Sequence, residues 1–153
     1  MAFRLRVDAK KWFRNIDSVF DVDFDIYYLC LMAGLATGRK EDATQSEAKD
    51  LVNEFPGPYK TQGRLITALF LSRELKALGI KPTERTALHS AIRNLVDPSS
   101  AAHLSDIGMK ELNKYAFGGF EVLNEWFQEK PQTIETFLPL YKQYLDSALH
   151  ENV

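Results

Sequence analysis

A helical hydrophobic period that runs from Leu65 to Leu149 is the feature that most limits the fold of this chain. Apolar residues recur there three and four positions apart, which is the spacing of one face of an amphipathic helix. Gly79 is placed to end the first helix, and Pro82 suits the first turn of the next. We therefore predict an all-α fold, a bundle of six to eight helices. Its core is expected to include Leu69, Leu75, Leu88, Ile92, Leu95 and Phe137.

The N-terminal residues depart from the helical pattern. Apolar and charged side chains alternate there, with Phe3, Leu5 and Val7 set against Arg4 and Arg6. This period of two predicts one short N-terminal strand or an extended arm. Asp8 is placed to cap a helix that follows, from Ala9 to Phe20.

Further helices are expected from Ile26 to about Thr37, ended by Gly38, and from Ser46 to Glu54. The run Pro56, Gly57 and Pro58 breaks the helical pattern most strongly. The chain has 153 residues, of which 45% are hydrophobic, enough to form a core. We predict a single helical domain over residues 1–153, with a subdivision near 55–62 left open.

The sequence offers the N-terminal strand no obvious partner strand. Its backbone N–H and C=O groups would then be unpaired, which favours pairing with a second copy of the chain. We therefore expect a homodimer whose paired strands carry arginines on one side. The alternative is that residues 3–7 extend the first helix or lie as an arm across the bundle.

Several kinds of site and location are disfavoured by composition. Cys30 is the only cysteine, so no disulfide can form within the chain. The histidines His89, His103 and His150 lack metal-ligand spacing, and no carboxylate pair stands out as an acid–base couple. We expect no metal and no cofactor, and an enzyme with scattered catalytic groups is the least favoured interpretation. Without an apolar signal region or a run of about 20 apolar residues, a cytoplasmic protein without membrane contact is expected.

Positive charge is concentrated at the N-terminus. Residues 1–14 have a balance of +4, and the rest of the chain has a balance of −6. A basic arm on an acidic body can bind a polyanion locally, although a solvated charged surface is an equally good interpretation. The candidate nucleic-acid-binding residues are Arg4, Arg6, Lys10, Lys11 and Arg14.

The order of elements in residues 3–37 resembles a ribbon-helix-helix unit: a strand, an Asp cap, a helix, a short turn and a buried helix. In that family two chains pair their strands, and the outward side chains of the ribbon enter the DNA major groove. The resemblance implies that Arg4 and Arg6 face the DNA.

The same region is similar in layout to the N-terminal half of the DndE family, small helical proteins of bacterial DNA phosphorothioation systems. The shared features are a short "RL" strand, an Ala-Lys pair at the start of the first helix and "LC" in an apolar second helix. The resemblance covers about a quarter of the chain. It implies DNA binding within a modification or anti-phage complex, through Lys10, Lys11 and Arg14.

An aromatic stretch, "YAFGGFEVLNEWF" at 115–127, contains a Gly pair inside a helical pattern. Glycine costs a helix about 1 kcal/mol relative to alanine. One interpretation is a tight turn between helices or a close helix crossing. The other is a contact surface for a protein partner, formed by Tyr115, Phe117, Phe120 and Trp126.

Two functions follow from these patterns. The first is a non-enzymatic nucleic-acid-binding accessory subunit of a bacterial DNA modification or anti-phage defence complex, acting through its basic N-terminal arm. The alternative is a helical protein–protein interaction module, of the adaptor or immunity type, without a nucleic-acid role. DNA binding by the arm requires its five basic residues to lie on one exposed face. If they are dispersed, or paired with Asp17, Asp21, Asp23 and Asp25, the adaptor is favoured.

Overall fold

The structure is a computed structural model that describes residues 1–151, and it is mainly helical. In chain order the elements are β1 (Arg4–Arg6), α1 (Val7–Trp12), α2 (Phe24–Thr37), β2 (Ala48–Asp50), α3 (Gly63–Ala77), α4 (Arg85–Leu95), α5 (Asp106–Trp126) and α6 (Ile134–Glu151). Two short 3-10 turns lie at Asp17–Val19 and Gly57–Tyr59. The predicted helical architecture with a short N-terminal strand is confirmed, and a second strand completes a small sheet.

The second strand corrects two predictions. β1 pairs antiparallel with β2, and Leu5 lies opposite Lys49. The helix predicted from Ser46 to Glu54 is therefore wrong, and so is the expectation that β1 has no partner within the chain. The backbone N–H of Val7 continues the pairing by donating to the Glu47 carbonyl at 3.0 Å. A short apolar pattern does not distinguish a helix from a strand, and pairing with β1 decides it here.

The other edge of β1 also has a partner. The backbone N–H of Arg4 donates to Oδ1 of Asn113 at 3.0 Å, and the Tyr27 hydroxyl donates to the same oxygen at 2.9 Å. Asn113 is buried, so its amide satisfies backbone and side-chain groups that water does not reach. The unpaired strand edge that motivated the homodimer is thus satisfied within the chain at Arg4.

The chain divides into two compact units. The strand unit comprises Arg4–Leu51 and the chain from Asn113 onward, and the hairpin unit comprises Met1–Phe3 and Val52–Leu112. The chain passes between the units after Phe3, after Leu51 and after Leu112. The second of these points lies a few residues before the Pro-Gly-Pro run, and the third lies within α5.

The strand unit has an aromatic core. α2 is buried on nearly every side, as its sequence predicts, and Gly38 ends it in the left-handed conformation with φ 75°. α1 ends at Trp12, well short of the predicted Phe20, and its Asp8 makes no cap hydrogen bond. The Trp12 ring packs edge-on against Phe13, Phe127 and Phe137, and these contacts add to the hydrophobic stabilisation of the unit.

In the hairpin unit α3 and α4 pack against each other. α3 buries Ile66 and Phe70, whereas Leu69, predicted to be in the core, is 39% exposed. Of the other predicted core residues, Leu95 and Phe137 are buried, and Leu75, Leu88 and Ile92 are half-buried. The prediction for α3 chose the wrong face because its leucines occur on both sides of the helix.

Candidate functional site

The Arg4 side chain in β1 bonds to residues of β2 and links the two strands of the small sheet. Its Nε lies 3.1 Å from Oδ1 of Asp50, and its Nη2 donates to the carbonyl oxygens of Ala48 at 2.6 Å and Gln45 at 3.2 Å. The side chain is only 17% exposed. Its Nε and Nη2 donors are thus engaged within the strand unit.

Arg6 is engaged in the same way. Its guanidinium binds both carboxylate oxygens of Asp8, at 3.1 and 2.8 Å, and Oε1 of Glu121 at 2.6 Å. It also lies 5.3 Å from the centre of the Phe120 ring, within cation–π range. Burial lowers the pKa of Arg6, but hydrogen bonds and charge attraction from Asp8 and Glu121 outweigh it and raise the pKa. Arg6 is a structural cation.

The remaining basic residues of the N-terminus differ from one another. Lys10 forms an exposed ion pair with Asp23 at 3.1 Å, which is worth at most about 1 kcal/mol. Lys11 and Arg14 are exposed, and neither makes an ion pair within residues 1–151. The structure therefore does not bring the five predicted nucleic-acid-binding residues together on one exposed face. This dispersal favours the adaptor alternative over DNA binding through the N-terminal arm.

The aromatic stretch is a helix crossing. α5 runs through the Gly pair without interruption, and Tyr115, Phe117 and Phe120 are buried. These three predicted partner-binding residues are core residues. Trp126 is half-buried, stacks on Tyr144 with ring centres 5.5 Å apart, and lines a groove of about 600 Å³.

The glycines explain why the helices approach so closely. A Cβ built on Gly119 would overlap the carbonyl of Cys30 in α2, and one built on Gly34 would overlap the carbonyl of Tyr115 in α5. The two backbones are therefore in contact, with no room for a side chain between them.

The two units differ in net charge, and the positive one is not the unit that contains the basic N-terminus. The hairpin unit contains eight Lys and Arg residues against six Asp and Glu, a balance of +2, whereas the strand unit contains eleven against fifteen, a balance of −4. The basic N-terminal arm belongs almost entirely to the acidic unit and is partly neutralised there. The excess positive charge lies in the hairpin unit.

The polar face of α4 carries the clearest unpaired cations in that unit, Arg85 and Arg93, with the His89 imidazole between them. Arg85, His89 and Arg93 are exposed and four residues apart, so they form one stripe along the helix. α4 contains no carboxylate, and neither arginine makes an ion pair with any described carboxylate. Its apolar residues, Leu88, Ile92 and Leu95, lie on the side that is at least half-buried. We call Arg85, His89 and Arg93 the α4 cationic stripe.

Sequence reasoning missed this stripe because the N-terminal cluster has the higher local charge. A usable signal was present: an amphipathic segment with two arginines, a histidine and no acidic residue over positions 85–95. Thr86, Ser90 and Asn94 share the exposed side of the helix and add hydrogen-bonding groups.

The reactive side chains in the interior are held in unreactive forms. Burial raises the pKa of the Cys30 thiol and of the Tyr27 and Tyr141 hydroxyls, so all three stay protonated near neutral pH. Across residues 1–151 no group of three or more His, Cys, Asp or Glu side chains is arranged to hold a metal ion. None of the helices described is both long enough and apolar enough to span a bilayer.

Comparison of the chain with protein-family models, with curated proteins and with solved structures finds no match. The similarities to ribbon-helix-helix proteins and to the DndE family therefore stay hypotheses drawn from residues 3–37.

Proposed function

We propose that this protein is a non-enzymatic nucleic-acid-binding accessory protein, and that the α4 cationic stripe is its binding surface. The observation that carries the proposal is the exposed row Arg85, His89 and Arg93 on a helix without carboxylates. The N-terminal arm, our first candidate from sequence, has most of its charge engaged within the strand unit.

Phosphate binding follows from the chemistry of the stripe. Each guanidinium can donate two parallel hydrogen bonds to a phosphate, and it is more weakly hydrated than an ammonium group. The two arginines lie eight residues apart, about 12 Å along the helix axis, so they can contact separate phosphates. Hydroxyl and amide groups such as those of Ser90 and Asn94 commonly make the remaining backbone contacts in protein–DNA complexes.

Backbone contact fits α4 better than the reading of a base sequence. The connection between α3 and α4, residues 78–84, is longer than the turn of three to four residues that sets the recognition helix in a helix-turn-helix protein. We infer binding to duplex DNA with little sequence preference. The setting we propose, a cytoplasmic, bacterial DNA-modification or anti-phage complex, comes from the resemblance of residues 3–37 to DndE, which does not extend to α4.

The protein should bind labelled duplex DNA with a salt dependence set by two phosphate contacts. For a duplex of about 20 base pairs we expect a Kd in the range of about 1–100 μM, and a slope near −2 for the logarithm of the association constant against that of salt concentration. Fluorescence anisotropy between about 50 and 200 mM salt measures both quantities. Absence of binding at the lowest salt concentration would contradict the proposed function.

A further inference from the structure

A groove in the hairpin unit has a different character from the α4 stripe. It lies between the segment 54–60, one side of α3 and the loop 96–103, and its volume is about 710 Å³. Its apolar lining is formed by Phe55, Ala68, Leu71, Val96 and Ala102. An apolar floor of this size is typical of sites that receive side chains of a ligand or partner.

The rim of the groove is positively charged. Lys60 and Arg64 line it, both are exposed, and neither makes an ion pair with a carboxylate in the described residues. Glu54 is the one carboxylate among the described lining residues, and the Asp97 carboxylate between the lining residues Val96 and Pro98 is bound by Ser99. The rim therefore attracts carboxylates, and the floor attracts apolar side chains.

A separate apolar ridge lies on another face of α3. Leu65 is 62% exposed and Leu69 is 39% exposed, and they follow the lining residues Arg64 and Ala68 in the sequence. Two leucines at i and i+4 form an apolar ridge on a helix. Because residues one position apart on a helix point in different directions, this ridge is not part of the groove.

The wall opposite α3 is held by its own hydrogen bonds. Val96 and Leu104 pair antiparallel, and the Ser100 hydroxyl lies 2.7 Å from the Leu104 carbonyl oxygen. The Asp97 carboxylate accepts hydrogen bonds from the Ser99 hydroxyl and backbone N–H, which lower the pKa of Asp97. His103 adopts a left-handed φ of 61° with Nδ1 3.1 Å from the Pro98 carbonyl oxygen. The wall is thus preorganised, which lowers the entropic cost of binding.

We propose that this groove binds an acidic amphipathic segment of a protein partner, with apolar side chains on the floor and carboxylates against Lys60 and Arg64. The argument is the charge complementarity between an unpaired cationic rim and an acidic segment, combined with a lining in which apolar side chains predominate. Nucleic acid would leave this apolar floor unused. The proposal rests on different residues from the α4 stripe and can hold or fail independently of it.

A designed peptide tests the proposal. The probe is a labelled helical peptide of about 16 residues with Leu at i, i+3, i+4 and i+7 and Glu at its other positions. We expect the full chain to bind it in anisotropy, and the same peptide with Lys in place of Glu to bind at least about tenfold more weakly. Equal binding of the two peptides, or no binding of either, would overturn the proposal.

Substitutions in the rim and floor of the groove test whether the peptide binds there. Lys60→Glu with Arg64→Glu should weaken binding of the Glu peptide at least about tenfold, and Ala68→Glu should do so by blocking the floor. Lys11→Glu with Arg14→Glu makes the same change in net charge in the strand unit and should leave peptide binding unchanged. Circular dichroism checks that each variant is folded; Lys60, Arg64 and Ala68 are all exposed, so the fold should survive.

Two other occupants of the groove give distinct results. If duplex DNA displaces the peptide and Lys60→Glu with Arg64→Glu reduces DNA binding, the groove is part of a nucleic-acid surface and the proposal is wrong. If the chain forms a dimer in light scattering that Ala68→Glu breaks, a second copy occupies the groove and the proposal is also wrong. A peptide that DNA does not displace, bound by a monomeric chain, supports a protein partner.

Discussion

Replacing Gly119 with alanine is expected to destabilise the protein by about 3 kcal/mol or more. The new methyl group would overlap the Cys30 carbonyl, which belongs to the α2 backbone and cannot rotate away as a side chain does. α2 and α5 would have to separate, and the contacts at the crossing, including those beside Gly34, would be lost. The cost is therefore that of overpacking against backbone.

Helix propensity alone predicts the opposite sign. Alanine is favoured over glycine by about 1 kcal/mol in the interior of a helix, and Gly119 lies well inside α5. The experiment thus separates a glycine needed for close packing from one that merely weakens its helix.

Urea unfolding of the two proteins measures the difference in free energy of unfolding. Gly57→Ala is the control for added bulk, because a Cβ at Gly57 would meet no atom within 4 Å beyond its own residue and its chain neighbours. Its cost should be only that of restricting the residue before Pro58, well below the cost of Gly119→Ala. A Gly119→Ala variant as stable as the original chain would contradict the close contact of α2 and α5.

Replacing Arg85 and Arg93 together with alanine is expected to lower affinity for duplex DNA at least about tenfold at low salt and to reduce the salt slope by about 2. The physical reason is the loss of two charge-assisted phosphate contacts. Both side chains are exposed and make no described ion pair, so stability should change little.

The matched control for this variant is Lys11→Ala with Arg14→Ala. It removes the same net charge from the exposed cations of the N-terminal arm, and it should reduce affinity only slightly through the long-range field. If this pair abolishes binding while the α4 pair does not, the arm is the nucleic-acid surface. Equal small losses in both would leave binding as a property of net charge and contradict a defined site.

Much of the fold could be predicted from local sequence signals. α2 follows from an almost uninterrupted apolar run ended by Gly38, and α3 follows from a helical period ended before Gly79, whose φ is 72°. These signals act within a few residues of each other, so no knowledge of the tertiary structure is needed.

The sequence predictions were wrong where contacts between residues far apart in the chain determine the structure. β2 forms because β1 lies beside it, although the sequence Ala48, Lys49 and Asp50 has little strand character. The leucines on both sides of α3 left its buried face undetermined.

The candidate site was harder to predict for the same reason. Arg4 and Arg6 belong to the most conspicuous group of cations in the sequence. In the fold, however, Asp50 binds Arg4 and Glu121 binds Arg6, and both partners are distant in the chain. Arg85 and Arg93 have no such partner among the described residues, and only the fold distinguishes a paired cation from an unpaired one. The sequence of the aromatic stretch 115–127 fits either a contact surface or a helix crossing. A Cβ on Gly119 would overlap the Cys30 carbonyl, which identifies a helix crossing.

The most direct test of the nucleic-acid surface is to observe it residue by residue. Amide proton–nitrogen correlation spectra of the labelled protein, recorded during titration with duplex DNA, report which backbone sites sense the ligand. We predict that the largest shifts fall in residues 85–94 of α4, with small changes in residues 4–14. Shifts concentrated in residues 4–14, or no shifts in α4 at saturating DNA, would contradict the assignment of DNA binding to α4.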